Sequence, residues 1–170
     1  LQELARNVGE TCCLAINQGN QVVYIDVVES PGQIVKAMQR IGHIAPLHCT
    51  GIGKLLLTNY SEEQIDALIA HTGLTRYTDK TITTKEELLK ELALVKSRGY
   101  AYDNEECELG TRCISFPIYD YSDRVIAGFS VTGPSVRLND EFFEKWIPYM
   151  HNLSIKLSHL FGYQNLSVKN

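Results

Sequence analysis

Residues Arg112–Pro134 read RCISFPIYDYSDRVIAGFSVTGP. Two runs rich in β-branched and aromatic residues flank the polar cluster Asp120–Asp123, which predicts two strands joined by a turn. Successive side chains of a strand point to opposite faces, so the runs sort into two sets. Ile114, Phe116 and Ile118, with Val125, Ala127, Phe129 and Val131, form a greasy face fit to pack on helices. Cys113, Ser115 and Pro117, with Ile126, Gly128, Ser130 and Thr132, form the other. A solvated outer face would carry charges. Small uncharged polar groups suit the wall of a concave, partly buried pocket, and a face half covered by another subunit is the alternative.

Upstream, LQELARN has helical spacing (Leu1, Leu4, Ala5, Val8) and stops at Gly9, as the end of a helix arriving from a preceding segment would. TCCLAINQGNQVVYIDVVES holds two β-rich runs around Gln18-Gly19-Asn20, a hairpin signal. Pro31-Gly32 breaks the chain, and QIVKAMQRIG (33–42) alternates as a third strand would. Ser61 with Gln64 predicts a capped helix through about His71. Thr83 or Thr84 starts another, with Leu88, Leu92 and Val95 as its buried stripe and Gly99 as its stop. Downstream, YAYDNEE predicts a further strand. Asn139 or Asp140 caps a long terminal helix whose stripe is Phe142, Trp146, Met150, Leu153, Leu157 and Leu160. This order predicts an α+β domain with helices against a mostly antiparallel sheet.

The chain has 170 residues, 44% hydrophobic and 21% charged, which suits one globular domain spanning residues 1–170. A net charge of −4 without any Lys/Arg-rich run gives no general attraction to nucleic acid. The five cysteines are odd in number and contain no C-x-x-C pair, so a reducing cytoplasm is the expected compartment. No apolar run approaches a membrane span, and the first residues lack the apolar core of a signal peptide. The chain starts without methionine, so a fragment of a longer protein is expected.

Three places could carry chemistry. HCTGIGKLLL (48–57) looks at first like a phosphate-binding loop, but His48 and Leu55 stand where that motif needs a glycine and a magnesium-binding hydroxyl. What remains is a small-residue turn into a helix, whose free amides suit an acceptor-rich small ligand. The plainer reading is an ordinary cap at Cys49 or Thr50, with glycines that allow close packing. Asp103, at the end of a predicted strand, could accept hydrogen bonds from ligand hydroxyls, or only cap a turn; Glu105, Glu106 and Glu108 read as a solvated acidic loop. Among the thiols, Cys49 follows His48 directly, but neighbours on an extended segment face opposite ways. Cys107 and Cys113 with Asp103 match no standard zinc spacing. His71, His151 and His159 are expected on helix surfaces or in packed seams.

Together, PLHCTGIGKLLL, GYAYDNEECELGTRCISFPIYD and VIAGFSVTGP, in this order and spacing, closely resemble the effector-binding domain of IclR-type bacterial transcription regulators, over nearly the whole chain. The resemblance implies a GAF-like or profilin-like fold, residues 1–8 as the end of a linker helix, and a DNA-binding winged helix-turn-helix domain absent from this chain. It further implies a pocket made by the backbone at Gly51 and Ile52, the Asp103 carboxylate, the Cys113 thiol and the Ser130 and Thr132 hydroxyls. Thr132 stands where some relatives have serine, which keeps the hydroxyl and adds a methyl. Ile34 and Ala37 of the third strand would add apolar walls. The expected partners are a small hydroxy, keto or sugar acid and further copies of the chain, as dimer or tetramer, with DNA contacted only through the missing domain. No membrane, metal, cofactor or catalytic activity is expected, and the reading covers repressors and activators alike. The alternatives are a GAF-like thiol redox enzyme using Cys107 or Cys113, and a pure dimerisation module.

Overall fold

The computed structural model describes residues 1–30 and 32–164. Pro31, half of the expected Pro31-Gly32 break, lies outside these residues, as does the 165–170 end of the expected domain. The first helix, α1 (Gln2–Val8), buries Leu4, Ala5 and Val8 and stops at Gly9, as its spacing predicts. Strands β1 (Thr11–Gln18) and β2 (Gln21–Val28) form the expected hairpin. Its two turn residues, Gly19 and Asn20, both have positive φ (61° and 63°), the turn whose twist matches that of paired strands. After a long irregular segment come β3 (Ile44–Ala45), α2 (Gly51–Leu57), α3 (Glu62–Thr72) and α4 (Lys85–Arg98). Strands β4 (Ala101–Asn104), β5 (Thr111–Tyr119) and β6 (Val125–Pro134) follow, and α5 (Asp140–Leu160) closes the chain.

The six strands form one antiparallel sheet in the order β3-β2-β1-β6-β5-β4. Both of its faces are covered. Ile114, Phe116, Ile118, Ala127, Phe129 and Val131 pack on α1 and α5. The opposite face receives α2, with α3 and α4 behind it, around Leu55, Leu56, Leu57, Leu88 and Leu92. Helix starts follow local chemistry: Thr50, Ser61, Thr84 and Asn139 each accept a hydrogen bond from a backbone N–H of the first turn, and Ser61 with Gln64 completes a capping box.

Three expectations about the fold are corrected. Residues 33–42 form no strand, and Ile34 (98% exposed), Val35, Met38 and Ile41 point to solvent. The segment is held by side-chain donors, with Thr11 Oγ1 bonding the Ala37 carbonyl and the Arg137 guanidinium bonding that of Val35, and at its end by Gly42 N–H, which donates to the Tyr24 carbonyl at 2.8 Å. Alternation reports amphipathicity but not whether a sheet edge is free to pair. Secondly, Val125 leaves the greasy face assigned to it and joins the α2 side. The register runs from Ile118 opposite Ala127 to Tyr119 opposite Val125, so Ile126 is an extra residue that reverses the alternation. Thirdly, the fully buried line of α5 is Phe143, Met150, Ser154 and Ser158; Phe142, Trp146, Leu153 and Leu157 of the expected stripe pack on the same core only partly buried, and Leu160 is 80% exposed. The two serines face the sheet because its irregular end needs partners: Ser154 Oγ donates to the Pro117 carbonyl, and Ser158 Oγ accepts from Tyr119 N–H at 2.9 Å. A hydrophobic stripe cannot register that need.

Candidate functional site

The site is built from α2 and the sheet. Helix α2 lies unusually close to β5 and β6, and its glycines permit this. A Cβ on Gly51 would meet Ser115 Oγ at 2.4 Å, and one on Gly128 would meet Ile52 Cγ2 at 2.9 Å. Thr50 caps the helix, accepting from Gly53 N–H at 3.2 Å and donating to the Pro46 carbonyl at 2.7 Å. The plainer reading of the Gly51 turn therefore holds for its local structure. The start of α2 nevertheless also borders a cavity of about 310 Å³.

Gly51, Ile52, Asp103, Cys113, Ser130 and Thr132 all line that cavity. Strand register explains the convergence, because residues directly opposite each other in a ladder share a face. Asp103 pairs with Cys113, and Cys113 with Thr132, across three adjacent strands. One row along, Ser115 pairs with Ser130 and Ser130 with Cys13. Ile34 and Ala37, expected as walls, do not line the cavity; their loop contributes Met38, Gln39 and His43 instead. Cys13 and Tyr24 of the first hairpin also line it and escaped the sequence reading. Cys13 was reachable once β1 was placed beside β6; Tyr24 depended on the bulge between Leu14 and Ala15, which shifts the register of β2.

Asp103 is 6% exposed, and its Oδ1 accepts from Glu106 N–H at 2.8 Å and Cys107 N–H at 3.3 Å. It thus caps its turn and lines the cavity at once, with Oδ2 left for the cavity. Burial pushes its carboxyl up to about 7, with the Glu106 carboxylate adding to the rise while the two amides and Lys54 oppose it. Glu106 corrects the picture of a solvated acidic loop. It is buried, and its Oε1 binds Lys54 Nζ at 2.7 Å; the same ammonium meets Glu91 Oε1 at 3.3 Å. Lys54, the lysine of the supposed phosphate loop, is therefore spent inside the protein. Hydroxyls from the preceding loop fix the backbone beside Asp103: Thr78 Oγ1 donates to the Glu105 carbonyl and Thr81 Oγ1 to that of Glu106.

Burial also pushes the Cys113 and Cys13 thiols up to about 12. Cys113 Sγ lies 3.3 Å from Ser115 Oγ. Cys13 and Cys113 thus present neutral thiols beside the hydroxyls of the wall, whereas Cys107, which also lines the cavity, is pulled below the ordinary thiol value by its hydrogen bond with Cys49. His48 donates from Nε2 to the Thr75 carbonyl at 3.0 Å, and among the described residues no hydrogen bond joins it to Cys49. Among the described residues no group of three or more His, Cys, Asp or Glu side chains is placed to hold a metal ion. No helix among them is long and apolar enough to cross a membrane. His71, His151 and His159 are on helix surfaces, as expected.

The model of the bacterial transcriptional regulator IclR C-terminal domain matches residues 1–159. The chain belongs to the IclR C-terminal domain family. It is 34% identical to the HTH-type transcriptional regulator XynR of Escherichia coli over 96% of its own length and 64% of that protein's. Among solved structures, Thermotoga maritima IclR superposes with a TM-score of 0.88 at 32% identity, over 96% of this chain and 66% of that one. The C-terminal domain of E. coli KdgR superposes with a TM-score of 0.84 at 34% identity, over 95% of this chain and 93% of that one. The IclR-type chain described here therefore spans less than two thirds of the curated full-length relatives it matches. These relatives are named as transcription regulators, not as enzymes, and the α+β, GAF-like fold expected of the family is the one observed.

Proposed function

We propose that this chain is the ligand-sensing and oligomerising domain of a cytoplasmic IclR-type transcription regulator. The observation that carries the reading is the convergence of Gly51, Ile52, Asp103, Cys113, Ser130 and Thr132, from four separate segments, on one cavity of about 310 Å³. That volume suits a small organic molecule. The ligand is a small hydroxy, keto or sugar acid whose hydroxyl or carbonyl groups face Cys113, Ser130 and Thr132. A carboxylate placed beside Asp103 shares a proton with it, because two like charges in a buried site do not both ionise.

Residues 1–8 are the end of a linker to a winged helix-turn-helix domain. Ligand binding changes the arrangement of a dimer or tetramer, and hence the spacing of the DNA-reading heads, by its differential affinity for two states.

A thermal-shift screen of the chain against hydroxy, keto, sugar and aromatic acids tests this, repeated with Asp103→Ala. At about a hundred times its dissociation constant a ligand stabilises the fold by about 2.7 kcal/mol. A selective rise in Tm that disappears in the variant is the expected result. A rise unchanged in Asp103→Ala would sink the assignment of this cavity, and no rise with any acid would favour a domain that only holds subunits together.

A further inference from the structure

A second cavity, of about 280 Å³, lies on the other side of β3. Leu47, Leu68 and Leu74 give it apolar walls, Tyr77 stands at its rim, and His48 lines it. Ile44, Ala45 and Pro46 border both cavities and separate them. Among the described residues, no Asp, Glu, Lys or Arg side chain lines this second space.

His48 is the buried polar side chain of the lining; Asn20, Gln21, Thr72 and Thr75 also border the space, from exposed positions. His48 is 5% exposed, and its Nε2 lies 3.0 Å from the Thr75 carbonyl oxygen. A carbonyl only accepts, so Nε2 carries the hydrogen. Burial, with a smaller contribution from the charge of Lys54, holds the ring below its ordinary pKa and so neutral at pH 7, against the Thr75 bond that favours its charged form. Nδ1 is then a bare acceptor, and among the described residues nothing donates to it. The Tyr77 ring, about half exposed, sits 6.2 Å from the imidazole at a tilt of 32°.

We propose that the cavity around His48 is a second small-molecule site, for an uncharged ring compound bearing one hydrogen-bond donor. The apolar walls and Tyr77 take the ring, and His48 Nδ1 takes the donor. An anion finds no cation here and meets a lone pair. The site is independent of the ligand assigned to the Asp103 cavity, but the shared wall is only a two-residue edge strand and a proline.

Phenol is the probe, titrated into the isotope-labelled chain at neutral pH and followed by NMR. Saturable shifts are expected at the amides of Leu74, Thr75 and Tyr77 and at His48 Nδ1. Anisole, the same ring without the donor, should bind about tenfold more weakly, the loss of one buried hydrogen bond, and benzoate should not bind there. His48→Phe should abolish the phenol response. Should that buried substitution unfold the chain, Tyr77→Ala, at a half-exposed position, should weaken phenol binding severalfold. The proposal is overturned by non-saturable shifts, by shifts confined to Asp103, Cys113 and Ser130, by anisole binding as well as phenol, or by a folded variant of either residue that binds phenol unchanged.

Discussion

Lys54 Nζ lies 2.7 Å from Glu106 Oε1 with both side chains withdrawn from water, at 1% and 9% exposure. The pair ties α2, whose start borders one cavity, to the turn that presents Asp103. Removing one partner strands a charge in the interior, which costs more than the pair contributes while intact. Lys54→Met should therefore destabilise the chain by about 3–5 kcal/mol in a denaturant titration. Lys54→Met with Glu106→Gln should recover a good part of that loss. Equal destabilisation by the single and double variants would show that packing, not charge, holds α2 to this turn.

The close approach of α2 to β5 gives a steric prediction. Gly51 has no positive φ, so Gly51→Ala acts through the 2.4 Å contact its Cβ would make with Ser115 Oγ. Overpacking of this kind costs about 1–3 kcal/mol. Ser115→Gly in the same chain should relieve most of it, because the obstructing atoms belong to the serine side chain. A Gly51→Ala chain as stable as the parent would mean that α2 slides without cost.

The Asp103 carboxyl has a definite pH signature. Its value is raised from 3.8 to about 7 in the fold, so over that window the folded state holds a proton that the unfolded state has released. Stability should fall as pH rises from about 4 to about 7, with a contribution from this group on the order of 4 kcal/mol. Asp103→Asn keeps an acceptor for the Glu106 and Cys107 amides and removes the titration. The variant should thus show a flatter stability profile and be the more stable protein above neutrality. Parallel profiles for the two proteins would refute the raised value.

The cysteines should differ sharply in reactivity. Cys12, Cys13, Cys49 and Cys113 are buried, and each thiol is pushed up, by burial foremost for all but Cys49, where the bond with Cys107 leads. Cys107 is partly exposed, and its hydrogen bond with Cys49 pulls it below the ordinary thiol value. Iodoacetamide should label Cys107 first in the native chain, with Cys107→Ser removing the fast phase seen by mass spectrometry. Both Cys107 and Cys113 line the cavity, so first labelling at Cys113 would show that burial does not protect its thiol.

Much of this protein is written locally in its sequence. The hairpin turn at Gly19-Asn20, the caps at Thr50, Ser61, Thr84 and Asn139, and the sorting of Cys113, Ser130 and Thr132 away from Phe116 and Phe129 rest on interactions within a few residues or on the two-residue period of a strand. Such signals survive without knowledge of the partner. What the tertiary structure alone decided depends on which distant segments meet. One extra residue at Ile126 sent Val125 to the opposite face, and residues 33–42, amphipathic enough for a strand, formed a loop whose Met38 and Gln39 line the cavity. Lys54 and Glu106 look like surface charges one at a time, and only their encounter across 52 positions makes burying both tolerable. Asp103 was legible as a turn residue, but its raised pKa comes from the desolvation that α2 and the sheet impose together. Charge, burial and register over such distances are properties of the assembled packing, and no local pattern of residues encodes them.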